Sequence, residues 1–175
     1  RRLDMDRCEG RRVQVDELPR GLLGLLTSRI EQLDADRDVA HVAAVVGRQF
    51  RVAFLRECTG LGDTRLKQVL AHMQRLEIIE PCHGDSPFDY QFVHQLLQEA
   101  AYLSCPRDVR ERLHHQVVTL IEERFPALIG RHPGYFASHL RRSGDHARAA
   151  RYFELAARAA LKLSANRTAL DMADA

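Results

Sequence analysis

Apolar positions recur at helical spacing along most of the chain, and the clearest exception lies near its middle. Leu22, Leu23, Leu25, Leu26, Ile30 and Leu33 make one apolar face over residues 19–33, and Pro19 suits a first helical turn, where its missing N–H costs nothing. Residues 34–38 are a polar break. Val39, Val42, Ala43, Val45 and Val46 then form a short, very apolar helix that Gly47 ends, with Arg48, Gln49 and Phe50 as an extended link. A second short helix covers 52–58 with Phe54 and Leu55 inward. A third covers 63–76, with Asp63 or Thr64 as its cap and Leu66, Val69, Leu70, Met73 and Leu76 on one face.

The period then changes. Ile78 and Ile79 read as a strand, residues 81–87 with Gly84, Asp85 and Pro87 as a turn, and 88–93 as the returning strand, where Tyr90 and Phe92 alternate with Gln91. Three helices followed by such a hairpin are the order of a winged-helix domain. From Leu96 the helical period returns through Leu97, Ala100, Ala101 and Leu103, and everything beyond Tyr102 is helical. Pro106 opens a helix that buries Leu113, Val117, Leu120, Ile121 and Phe125 and keeps Arg107, Arg110 and Arg112 wet, and Pro126 ends it. Pro133 opens the next, with Tyr135, Phe136 and Leu140 inward and Gly144 at its end. An Ala-rich helix follows over 145–163, in which Ala149, Phe153 and Ala156 have the spacing of the second helix of a tetratricopeptide repeat. Any antiparallel helical hairpin would suit the same residues. The predicted fold is therefore mainly α: a winged-helix domain with a two-stranded wing over 37–104, followed by tetratricopeptide-like antiparallel helices over 105–175, with 1–36 as the end of a helical linker. Val13 and Val15 suit a short strand or a loop.

Composition narrows the function classes. With 45% hydrophobic and 29% charged residues the chain is expected to be globular and soluble, and a net charge of +2 is too small to argue for nucleic acid by itself. No apolar run reaches the length of a membrane span and no leader opens the chain, so a cytoplasmic protein without membrane contact is expected. Cys8, Cys58, Cys82 and Cys105 are scattered and suit free thiols in a reducing compartment. The chain starts at Arg1 and stops at Ala175 within a second helical pattern over 167–175, so a piece of a longer protein is expected.

Catalytic motifs are missing. There is no Gly-Lys dipeptide and hence no P-loop, no Gly-x-Ser-x-Gly elbow and no His-Glu-x-x-His helix. His114, His115, His132 and His139 lack a spaced Cys or carboxylate partner, and neighbours on a helix point about 100° apart, which argues against a metal site. A winged helix raises DNA binding, with Arg65, Lys67, Gln68, Gln74 and Arg75 on the candidate recognition helix. Asp63, Glu77, Glu80, Asp85 and Asp89 sit on the same helix and wing and oppose phosphate, so solvated helix charges account for the pattern as well. His94 stands where the strand period gives way to the helical one. A ring at a helix start can meet a phosphate, though from position alone capping the helix or packing at a bend is the more ordinary role.

Phe92-Val93-His94-Gln95-Leu96-Leu97-Gln98-Glu99-Ala100-Ala101-Tyr102 resembles the F-x-H-x-L-x-Q-E-x-x-Y signature of signal-transducing ATPases with numerous domains, in the branch linked to class III adenylate cyclases and LuxR-type regulators. Residues 43–50 resemble the A-A-V-I-G-R-x-F of that family, Leu18-Pro19 with Leu22 and Ser28-Arg29-Ile30 its L-P-x-x-L and x-R-L lead-in, Arg112 to His114 its R-x-x-L-H, and 144–156 its first helical repeat. The resemblance covers roughly residues 18–170. It implies an ATPase domain upstream that binds ATP or ADP with Mg²⁺ through residues preceding Arg1, and a contact from His94 to the nucleotide β-phosphate across the domain interface. Gln95 stands where the related Met-His-Asp motif of plant immune receptors has Asp. The resemblance further implies protein partners on the helical repeats, and DNA contact only through a separate domain if the whole protein is a LuxR-type regulator. The expected function is nucleotide-state sensing and signalling by a regulatory piece of a larger ATPase. A DNA-binding regulator and a helical scaffold without nucleotide coupling are the alternatives.

Overall fold

The structure, a computed structural model, describes the backbone of residues 20–173 and side-chain burial over 24–162. Val13, Val15, Cys8 and Pro19 lie outside the described residues, as do the side chains of Leu22 and Leu23. The chain divides between Leu113 and His114 into two compact units. The sequence placed that break at the end of the winged helix, near residue 104.

The first unit is built around its most apolar helix. After α1 (Arg20–Glu31) and a 3-10 turn (Asp34–Asp36) comes α2 (Arg37–Val46), in which every residue from Val39 to Val46 is buried. A helix apolar on all sides must be covered on all sides. It packs against α1, α3 (Val52–Thr59) and α5 (Gln95–Ser104). Gly47 ends it at φ +145°, ψ −175°, a region open essentially to glycine alone. Gly60, at φ +66°, closes α3 in the left-handed conformation. The third helix of the winged arrangement is α4 (Asp63–Arg75), which buries Leu66, Val69, Leu70 and Met73 as its spacing predicts. Its N-cap is Gly62 instead of the expected Asp63 or Thr64. Asp63 is the first helical residue, and its carboxylate accepts from Arg56 Nη1 at 3.1 Å.

The wing is the expected hairpin, β2 (Ile79–Pro81) and β3 (Tyr90–Phe92), with a third strand added. Gln49 and Phe50, read from the sequence as a link, form β1 and pair antiparallel with β3, giving the order β1-β3-β2. Two residues are too few to show an alternating pattern, so the strand was legible only through its partner. The register aligns Gln49, Gln91 and Glu80 in one row. Gln49 Nε2 donates to Gln91 Oε1 at 3.0 Å, and Gln91 Nε2 donates to Glu80 Oε1 at 2.8 Å. The neighbouring inward positions are Phe50, Phe92 and Ile79, all buried. The boundary between the two units falls within α6 (Arg107–Arg124).

In the second unit, α6 buries His114, Val117, Val118 and Ile121. A short α7 (Ala127–Arg131), not expected from the sequence, precedes α8 (Pro133–Arg142) and α9 (His146–Ala173). α9 runs as one helix from His146 to Ala173, joining the two helical patterns that the sequence shows separately. Gly144, at φ +92°, turns the chain between α8 and α9, and Phe136 meets Tyr152 edge-on at 4.9 Å, so the two helices form an antiparallel hairpin. Ala149 is buried one turn into α9, while Phe153 is partly exposed beneath the Arg141 guanidinium. Among the described residues no helix is long and apolar enough to cross a membrane.

Candidate functional site

His94 occupies the junction that its sequence position implies. Phe92, the last residue of β3, is fully buried on one side of it and Leu97 on the other, so two core anchors hold the link between them. Val93 N–H donates to Ile78 O at 3.1 Å and keeps the chain on the sheet. His94 itself is extended (φ −129°, ψ +145°) and serves as the N-cap of α5 through its backbone, its carbonyl accepting from Leu97 N–H at 3.0 Å. Its ring makes no capping hydrogen bond and is exposed. The first turn of α5 holds no acidic residue. An imidazole beside a helix N-terminus can donate to an anion where the backbone dipole already favours one.

From the start of the same helix, Gln95 Nε2 donates to Glu99 Oε1 at 3.0 Å, and Gln98 Nε2 donates to Ala44 O at 2.8 Å, tying α5 to the backbone of α2. The other carboxylate oxygen, Glu99 Oε2, is buried with no hydrogen-bond partner. Leaving such an atom unpaired costs about 1–3 kcal/mol. The sequence marked Glu99 only as part of a motif, because burial of a single oxygen depends on how α5 is covered.

The candidate DNA-reading helix is partly committed elsewhere. Arg65 pairs with Asp36, whose second oxygen lies 3.1 Å from His72 Nδ1. Tyr90 Oη donates to Gln74 Oε1 at 3.4 Å. Lys67, Gln68 and Arg75 remain exposed. On the wing, Asp89 Oδ2 accepts from Val52 N–H at 2.8 Å and so caps α3 from a distance, a structural task beyond the charge that opposes phosphate. Asp36 was missed. It lies in a run with Asp34 and Asp38, and nothing in that run distinguishes the one carboxylate that is buried.

Of the four histidines considered for metal, two come together. His114 Nδ1 and His139 Nδ1 are 2.8 Å apart, both rings fully buried, while His115 is exposed and His132 is the N-cap of α8. Among the described residues no group of three or more His, Cys, Asp or Glu is placed to hold a metal. His41 is buried in α2 with Nε2 3.3 Å from Ser104 Oγ. Ser104 gives its only proton to Ala101 O, so His41 Nε2 must be the donor. Burial holds this ring below its ordinary value, against a smaller opposing pull from Asp38. Cys58, Cys82 and Cys105 are free thiols, and burial first, then Glu57, pushes Cys58 up to about 12, which makes it a poor nucleophile.

No protein-family profile matches the chain, and no solved structure matches it. It is 28% identical over 121 residues to an uncharacterized protein of Rhizobium meliloti (strain 1021). That match covers 69% of this chain and only 12% of the relative, which is a far longer protein.

Proposed function

We propose that this chain is a regulatory segment of a multidomain ATP-binding signalling protein, and that it couples nucleotide state to protein–protein contacts. The observation that carries the reading is the exposed His94 ring at the N-cap of α5, held between two buried anchors and unused by the chain's own capping. The site fits a limited share of a nucleotide. One imidazole suits a single phosphate oxygen, and the remaining contacts, with Mg²⁺, belong to an ATPase domain outside this chain. His94 holds the phosphate end of ADP and favours the state in which the winged helix stays docked on that domain. A contact of this kind is worth on the order of 1–3 kcal/mol, enough to bias a two-state balance and too little to drive chemistry. The buried, unpaired Glu99 Oε2 is a second feature of α5 that the segment's own packing leaves unexplained. The α8–α9 hairpin suits the start of a helical array that carries the protein partners, and the cytoplasm is where such a nucleotide-dependent protein works.

The test is nucleotide retention by the natural full-length protein. ADP should co-purify with the wild type and fall at least fivefold in His94→Ala, with the helical content unchanged. Equal retention would remove His94 from the site and leave a helical scaffold.

DNA binding through α4 is the rival reading and has less support, because Arg65 and Gln74 are engaged within the fold. Fluorescence anisotropy with duplex DNA should give a Kd weaker than about 100 μM near physiological salt. A tighter, steeply salt-dependent affinity would favour the rival.

A further inference from the structure

The second unit contains an arrangement that the proposed function does not use. His114 on α6 and His139 on α8 face each other in a fully buried contact, Nδ1 to Nδ1 at 2.8 Å with ring centroids 4.9 Å apart. One ring must carry its proton on Nδ1 and the other must present a bare Nδ1, because two Nδ1–H groups cannot share that distance. Tyr135 closes one side, edge-on to His139 at 4.6 Å. The contact therefore exists only while at least one ring is neutral, and a second positive charge there would be buried against the first.

We propose that the His114–His139 contact is a proton-sensitive latch, which holds α6 against α8 at neutral pH and releases it on mild acidification. The charges around it are arranged for release. Arg142 stands at the end of the same helix, and burial, His114 and Arg142 all push His139 toward the neutral ring, well below the ordinary value of 6.5. On the neighbouring elements, Glu122 of α6 and Asp145 before α9 are both taken up by Arg148. The sign follows directly. A folded ring that resists its proton binds fewer protons than the opened one, so stability is full above pH 6.5 and falls as the pH drops below it. For one proton, the closed-to-open ratio falls by up to about tenfold per pH unit.

Hydrogen exchange of the 175-residue chain, corrected for the intrinsic pH dependence, tests this. Protection of amides in 114–124 and 133–142 should fall by roughly 15-fold in all between pH 6.5 and pH 5. It should stay flat in the double variant His114→Leu, His139→Phe. An equal slope in that variant, or no slope in the wild type, overturns the latch. If the variant does not fold, ring resonances of the wild type decide. Both rings holding their neutral-pH tautomers until protection is lost supports the latch. Titration of the His139 ring near 6.5 with protection intact overturns it.

Discussion

Phe92→Ala should destabilise the first unit by roughly 3–5 kcal/mol, the range for removing a buried aromatic ring. Its side chain is fully buried, stands opposite Ile79 in the wing register and meets Phe50 edge-on at 6.2 Å. Its N–H also donates to Arg48 O at 2.9 Å, so β1, β2 and β3 converge on this one residue. Losing the ring removes packing from all three strands, and the strands are too short to repair the gap by sliding. Phe92→Leu should cost less than half as much. Urea unfolding followed by circular dichroism measures both, and a loss below about 1 kcal/mol for the alanine variant would mean that the site collapses around the cavity. Because Phe92 is one of the two anchors of His94, exchange at the Leu97 and Gln98 amides should accelerate as well.

Asp36→Ala should cost about 2 kcal/mol. The carboxylate is nearly buried on the 3-10 turn between α1 and α2, and it holds α4 through Arg65 and His72. The loss stays below the 3–5 kcal/mol of a fully buried pair, since the side chains of Arg65 and His72 are 51% and 30% exposed and regain water once released. Asp36→Asn should lose about half as much, because its amide oxygen still accepts. A double-mutant cycle with Arg65→Ala isolates the pair, and additivity of the two changes would show that Asp36 acts through His72 or through the turn alone. The same variant probes DNA binding: it frees a cation on α4, so unchanged anisotropy would weaken that reading further.

These two residues mark where local pattern stops being informative. Phe92 was legible because it belongs to an alternating aromatic strand between turn signals. Asp36 was not, since burial of one carboxylate among three depends on where α4 docks. The histidines divide in the same way. His94 could be singled out because the hydrophobic period changes at that residue. His114 and His139, separated by two turns and a short helix, looked like scattered ligand candidates, and the structure joins them as a pair instead.

The helices other than α7, the hairpin, the helical order of a winged arrangement and the place of His94 were legible in the order of residues alone. Each follows from the period of its apolar residues or from glycine and proline at its ends, which act over a few neighbouring positions. Packing between elements is what makes Gln49 and Phe50 a third strand, pairs Asp36 with Arg65, buries one oxygen of Glu99 unpaired and brings two histidines into a buried contact. Those outcomes depend on which surfaces meet and how much water they exclude, and no run of neighbouring residues carries that information.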